Sequence, residues 1–399
     1  MIENATWLGL LVLFGTAAGA LFFAKLIERW GVPEVLAYLV VGIVLGPQVL
    51  GVLSSELLAR SFFLPQLILG FVAFMLGELL TPRALLQRRT LPIATVVLSV
   101  LLPFAAVTAG AYLLAAAPMR QAVTLGILAM AGAPATVLAL RQSLGDHSPR
   151  GELLAALAAM DNLLVVFIYG TLAPFLMVSV VFEWSVLSAV WEVFLTVGVG
   201  AILGLVGTWL LRFLRGAKND VGQAMAAAAL VVGLLVASSE ILGASSLIAC
   251  AVAGIGTAIR EQRGNGPSAA FEALHGLERI VYVFFFIFAG TEIVFGHVFS
   301  AGVLAIVYIL GRSLAKILAA LVGGLTSRRS LRESLAFGTA LLPQAGVVVG
   351  LALDASARFP EVGAEVLAVV MAALVVFELV GPIAVQRALK SVPAEPSST

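Results

Sequence analysis

QAVTLGILAMAGAPATVLALRQS, residues 121–143, is long and apolar enough to cross a bilayer, yet it carries Gly132 and Pro134 at its middle. A break at that depth persists only where the freed backbone is buried in protein or lines a cavity. A second segment, LRESLAFGTALLPQAGVVVGLAL at 331–353, has the same design with Pro343 and Gly346. The two are related by a fixed offset. Arg120 and Gly126 recur as Arg332 and Gly338, and Gly42 recurs as Gly254, each 212 positions on. Phe71 and Gly77 recur as Phe284 and Gly290 at an offset of 213. Three landmarks in one register predict an internal repeat.

The surroundings of these segments place the chain in lipid. Of its 399 residues, 61% are hydrophobic and only 11% charged, and the mean hydropathy is +1.10. Soluble proteins carry about a quarter charged residues. By the length needed to cross a bilayer, thirteen segments are expected: 6–27, 33–52, 63–80, 91–116, 121–143, 152–178, 185–211, 221–238, 243–259, 279–296, 301–323, 331–353 and 363–386. The first is too long for a signal-peptide core and lacks a cleavage site, so it reads as a true span.

Charge placement fits that count. With the loop after the first segment taken as inside, 18 of the 23 Lys and Arg residues fall inside, and Arg60, Arg120 and Arg358 fall outside. The positive-inside rule then predicts an outer N-terminus and a cytoplasmic C-terminus, in a cell (inner) membrane. The repeat offset spans an odd number of segments, which inverts topology. The fold class expected is therefore an all-α membrane protein with two inverted-topology repeats, about 33–178 and 243–388, two broken crossing helices and a short tail at 389–399. Inverted repeats with broken helices mark secondary transporters, whose ion sites lie near the midplane.

Ionisable groups inside spans are expensive and so are functional candidates. Asp161 sits near the middle of the sixth segment, in Ala158-Ala159-Met160-Asp161-Asn162-Leu163-Leu164. A carboxylate there suits exchange of a proton for a cation; the plainer reading is an Asp that pairs helices. Arg312 and Lys316, four apart on the eleventh segment, share a helix face. Lys316 needs a counter-charge, which Asp161 is placed to supply, and Arg312 reads equally as an ion-pair brace. Thr136 and Gln344 stand beside the two breaks and offer neutral oxygens to a cation, although Thr136 is as well explained by bonding back to its own helix. Glu378 reads first as a packing carboxylate. Glu78 and Glu292 lie near span ends.

Other classes find no support. Net charge is +1, so no nucleic-acid partner is expected. The single Cys250 and three scattered His residues give no metal spacing. No P-loop, dinucleotide fingerprint or nucleophile–base pair is present, so neither an enzyme nor a cofactor is expected.

Taken in order, several stretches resemble the cation:proton antiporter-2 family, with its Kef and NapA types. They are Leu39-Val40-Val41-Gly42-Ile43-Val44-Leu45-Gly46-Pro47, Gly70-Phe71-Val72-Ala73-Phe74-Met75-Leu76-Gly77, Ala133-Pro134-Ala135-Thr136, Arg312 to Lys316, Leu342-Pro343-Gln344-Ala345-Gly346 and Glu378-Leu379-Val380-Gly381-Pro382. The resemblance covers nearly the whole chain. It implies thirteen helices, a dimerisation domain beside a mobile core, a homodimer, and elevator-like exchange of Na⁺ or K⁺ for H⁺. That family usually carries two polar residues on the sixth segment, of which the second, an Asp, binds the ion. Here the run is Met160-Asp161-Asn162. If Asp161 matches the second position, the binder is intact and Met160 replaces its polar neighbour. If it matches the first, Asn162 has replaced the binder and Asp161 is the partner of Lys316. With one carboxylate, exchange is expected to be one-for-one and electroneutral, or crippled. A passive cation leak and a non-transporting membrane sensor remain as alternative functions on the same scaffold.

Overall fold

The structure is a computed structural model that describes residues 2–29, 33–61, 63–80, 93–146, 148–177, 185–215, 221–261, 269–294, 296, 301–326, 330–344, 346–359 and 361–390. Most of the expected tail, 391–399, lies outside them. Among the described residues every regular element is helical. In chain order they are α1 (Ile2–Glu28), α2 (Glu34–Leu45), the short α3 (Ser55–Arg60), α4 (Phe63–Leu76) with a 3-10 turn after it (Gly77–Leu80), α5 (Ile93–Leu114), α6 (Met119–Ala129), α7 (Pro134–Leu144), α8 (Pro149–Met177), α9 (Ser185–Arg215), α10 (Val221–Leu242), α11 (Ser246–Glu261), α12 (Ala269–Thr291), α13 (Gly302–Thr326), α14 (Leu331–Ala340), α15 (Gly346–Arg358) and α16 (Gly363–Lys390).

Among the described residues, nine helical stretches are long and apolar enough to cross a membrane, with α6 and α7 counted as one, and α2, α4 and α11 are shorter apolar helices. The split pair α14–α15 completes the set, so each of the thirteen expected segments falls on a helix or a helix pair. The twelfth runs further than expected, to Arg358. Local chemistry sets the ends near the breaks. Pro134 opens α7 at its first turn, where a missing N–H is harmless, and Gly145 closes it in the left-handed region at φ 61°. Ser330 and Glu333 form a capping box that starts α14.

The helices pack as two bundles. A site bundle holds α5–α8 and α13–α16, with its most extensive contact between α5 and α13. A flanking bundle holds α1, α2, α4 and α9–α12, built on the α2–α12 and α9–α11 pairs. The seam between them is formed mainly where α15 meets α4 and where α8 meets α9 and α11. Large apolar side chains stand exposed on α1 (Trp7, Leu11, Phe14, Phe22) and α9 (Trp191, Phe194, Trp209, Phe213), where lipid would cover them.

Two close crossings stiffen the flanking bundle, and glycine permits both. On α2 and α12, a Cβ at Gly42 would run into the backbone of Ile287, and one at Gly290 into that of Leu39. On α4 and α11, a Cβ at Gly254 would meet the backbone of Phe74, and one at Gly77 that of Gly254 and Ile255. Backbones this close leave no room for any side chain. Each landmark glycine of one half of the sequence meets the other kind of landmark from the other half. Cys250, on α11, is wholly buried and packs near Gly70.

Candidate functional site

Two helix ends stop deep inside the site bundle. α6 ends at Ala129, and α7 restarts at Pro134 after the non-helical Ala133. α14 ends at Ala340 and α15 restarts at Gly346. Each stop leaves carbonyls without helical partners at the negative end of a helix dipole, and such groups call for cations or donors.

Helix α13 supplies both cations. Lys316 and Arg312, one turn apart on it, have side chains with no exposed surface. Lys316 Nζ donates to the Met130 carbonyl at 2.7 Å and to Asp161 Oδ2 at 2.7 Å. Arg312 bridges the two breaks. One of its terminal nitrogens donates to the Leu342 carbonyl at 2.7 Å; the other donates to Ala131 at 2.7 Å and Pro343 at 3.3 Å. Its guanidinium carbon lies 4.5 Å from the centre of the Phe377 ring, a cation–π contact from α16. The planar fork of Arg suits this task, because a point charge does not span three carbonyls.

Asp161 and its neighbour are both used. Asp161 Oδ1 lies 2.5 Å from the Ser99 hydroxyl of α5. That hydroxyl also lies 2.9 Å from the Val96 carbonyl, and its single proton serves one acceptor at a time. Asn162 Oδ1 accepts the Gly132 N–H at 2.9 Å, so it caps the first break. Gln344 Nε2 donates to the Leu128 carbonyl at 2.9 Å and to the Tyr308 hydroxyl at 2.8 Å, while its Oε1 is buried without a partner. Thr136 is half-buried on the first turn of α7, and none of the hydrogen bonds found at the crossing among the described residues involves it. Glu378 follows Phe377 on α16, and Glu292 lies beyond the end of α12.

Ser99 and Tyr308 escaped the sequence reading. A lone hydroxyl in an apolar run was the available signal for each. The crossing holds one carboxylate against two cations, all fully buried, and the surplus charge is met by four carbonyls and a ring. Asp161 is the anionic group of this centre, and the Lys316 ammonium is its counter-ion.

The comparison with known families decides where this crossing belongs. Residues 15–390 match the family described as sodium/hydrogen exchanger, transmembrane. The chain belongs to that family. A curated relative, the probable Na⁺/H⁺ antiporter GerT of Bacillus cereus, is 26% identical over 336 residues, covering 82% of this chain and 85% of the relative. Among solved structures, the sodium proton antiporter MjNhaP1 of Methanocaldococcus jannaschii at pH 8 matches with a TM-score of 0.75 at 15% identity, over 97% of this chain and 98% of that one. An electron-microscopy structure of the same antiporter matches at 0.72 and 16% identity over the whole of both chains. At such identities the two structures establish that the chain shares their fold.

Proposed function

We propose that this protein swaps a monovalent cation, Na⁺ or K⁺, for H⁺ by alternating access, with Asp161 as the site that cation and proton share. The observation that carries the reading is the buried Asp161–Lys316 pair, 2.7 Å apart at the crossing of two helix breaks. In this arrangement Lys316 is the counter-ion of Asp161. Asp161 is neutralised in turn by a transported cation and by the proton that Lys316 carries: a cation that reaches Asp161 displaces the ammonium, and a buried ammonium without its counter-charge is tolerated only if it sheds that proton. One cation arrives and one proton leaves, and the net charge of the site is unchanged. The exchange is therefore one-for-one and electroneutral. Asn162, committed to the Gly132 N–H, and Gln344, with a free carbonyl oxygen, supply neutral oxygens nearby.

The crosswise glycine contacts fit two inverted repeats, 33–178 and 243–388, whose alternate packings would open the site to each side in turn. The distribution of Lys and Arg favours an outer N-terminus in a cell (inner) membrane, and the motifs quoted above favour the cation:proton antiporter-2 branch and a homodimer. The relative named as a Na⁺/H⁺ antiporter favours Na⁺.

Proteoliposomes test this with Na⁺, K⁺ and Li⁺ in turn. Wild type is expected to move protons against a cation gradient without carrying current, and Asp161→Asn to lose at least about 100-fold of that rate, as removal of a group central to the chemistry does. Cation flux without proton movement would point to a leak. No flux with any of the three ions sinks the transport reading.

A further inference from the structure

A second polar centre lies away from the crossing, at the seam between the bundles and near the face that loop charge places outside. Asp354 on α15 is 8% exposed. Its Oδ2 accepts the Tyr169 hydroxyl of α8 at 2.9 Å and the Arg358 Nε at 2.7 Å. Both bonds go to the same oxygen. Across the seam, on α10, Glu240 stands 3.9 Å from an Arg358 terminal nitrogen, too far for a hydrogen bond. Beside Glu240, the Ser239 hydroxyl is fully buried and has no hydrogen-bond partner.

These groups surround one cavity of about 150 Å³, lined by Tyr169, Ser239, Glu240, Asp354 and Arg358. It shares Gln66, Leu69 and Asp354 with a larger cavity of about 450 Å³ that also takes in Glu292. Tyr169 lies eight residues beyond Asp161 on α8, so the centre sits about 12 Å from Asp161 along that helix. Its formal charge is one net negative, from two carboxylates against one guanidinium. Hydroxyl and carboxylate oxygens are hard ligands suited to a small cation, and a buried hydroxyl with no partner calls for one.

We infer that this seam cavity binds a partly hydrated monovalent cation, held between Asp354 and Tyr169 on the site bundle and Ser239 and Glu240 on the flanking bundle. The site is separate from Asp161, and its occupancy does not depend on transport. A conformational consequence follows, and this part rests on the transport reading. The cation touches both bundles, so it binds tightest when the two faces stand as close as they do here. By linkage it then favours this conformation and slows the departure of the site bundle from it.

Asp161→Asn protein, whose crossing site is disabled, separates the two sites. Crystals of that variant containing Tl⁺ are expected to show anomalous scattering between Asp354 and Ser239. Adding Ser239→Ala, which leaves the Tyr169–Asp354–Arg358 bonds untouched, is expected to weaken Tl⁺ binding about fivefold, the effect of losing one neutral ligand. Adding Glu240→Gln instead alters a partly exposed side chain, keeps the fold, and is expected to weaken binding about tenfold. In solution, the Asp161→Asn protein should melt at higher temperature in NaCl than in choline chloride of equal ionic strength, and Glu240→Gln should remove the difference. No Tl⁺ peak in the cavity, or a peak unchanged in both added variants, overturns the proposal. Failure of Asp161→Asn to abolish exchange would count against the transport reading alone.

Discussion

The break between α6 and α7 and the break between α14 and α15 set the fold the same task, to leave a helix in mid-membrane without stranding its backbone. They solve it differently. At the first break, Lys316 and Arg312 of α13 hold the Met130 and Ala131 carbonyls, and Asn162 of α8 accepts the Gly132 N–H. Two helices grip it, through donors and an acceptor. At the second, the Leu342 and Pro343 carbonyls both rest on Arg312. Gln344 reaches away from it, back to Leu128. The first break is also tied to the ion pair, because the ammonium that neutralises Asp161 is the one that holds Met130. Loading a cation at Asp161 would loosen that carbonyl and leave Leu342 and Pro343 as they are. Under the proposed function, one break would sense occupancy and the other would serve as its fixed counterpart.

The largest test of this contrast is Arg312→Ala, which strips donors from both breaks at once. It is expected to cost about 3–5 kcal/mol of stability and to abolish exchange, with Arg312→Lys restoring little, since an ammonium lacks the fork. A thermal melt within about 1 kcal/mol of wild type would mean the carbonyls are met by other donors. Asn162→Ala should act on the first break alone. It leaves the Gly132 N–H unsatisfied at about 1–3 kcal/mol, and amide hydrogen exchange should quicken at 130–133 while 341, 342, 344 and 346 keep their wild-type rates. Equal quickening at both would erase the distinction. The smallest effect is expected from Gln344→Leu, about 1 kcal/mol from the bonds to Leu128 and Tyr308, with exchange against Na⁺ retained to within about tenfold. A larger loss of transport than of stability would give Gln344 Oε1 a direct part in holding the cation.

Much of the scaffold was legible because lipid leaves a coarse signature. Apolar runs of spanning length mark the helices, and the Gly132–Pro134 and Pro343–Gly346 pairs mark where two of them stop. α2 and α11 were harder to bound. Each is a short helix, and the apolar signal runs on into loops such as 46–52, whose turn at Gly51 is set by hydrogen bonds to Gly46. The crossing was legible as a set of costly residues and illegible as a circuit. That Asp161 and Lys316 both needed a partner follows from burial. That Arg312 spends its fork on Ala131, 181 positions away, and on Leu342, 30 positions away, depends on how three helices cross, and no local pattern encodes that. Ser99 and Tyr308 show the same limit. Each is one hydroxyl among apolar neighbours, and its meaning lies with a residue on another helix. Asn162, beside Asp161, offers a neutral oxygen, and the structure gives that oxygen the task of closing the first break.

The buried thiol of Cys250 has a practical consequence. It is the chain's only cysteine, and it is sealed between α11 and α4. The native protein is therefore already a silent background for water-soluble thiol reagents. A reporter cysteine placed at Gln66 or Ser356, facing the large cavity, would be the one reactive thiol in the molecule, and its labelling rate would read how accessible that cavity is to water.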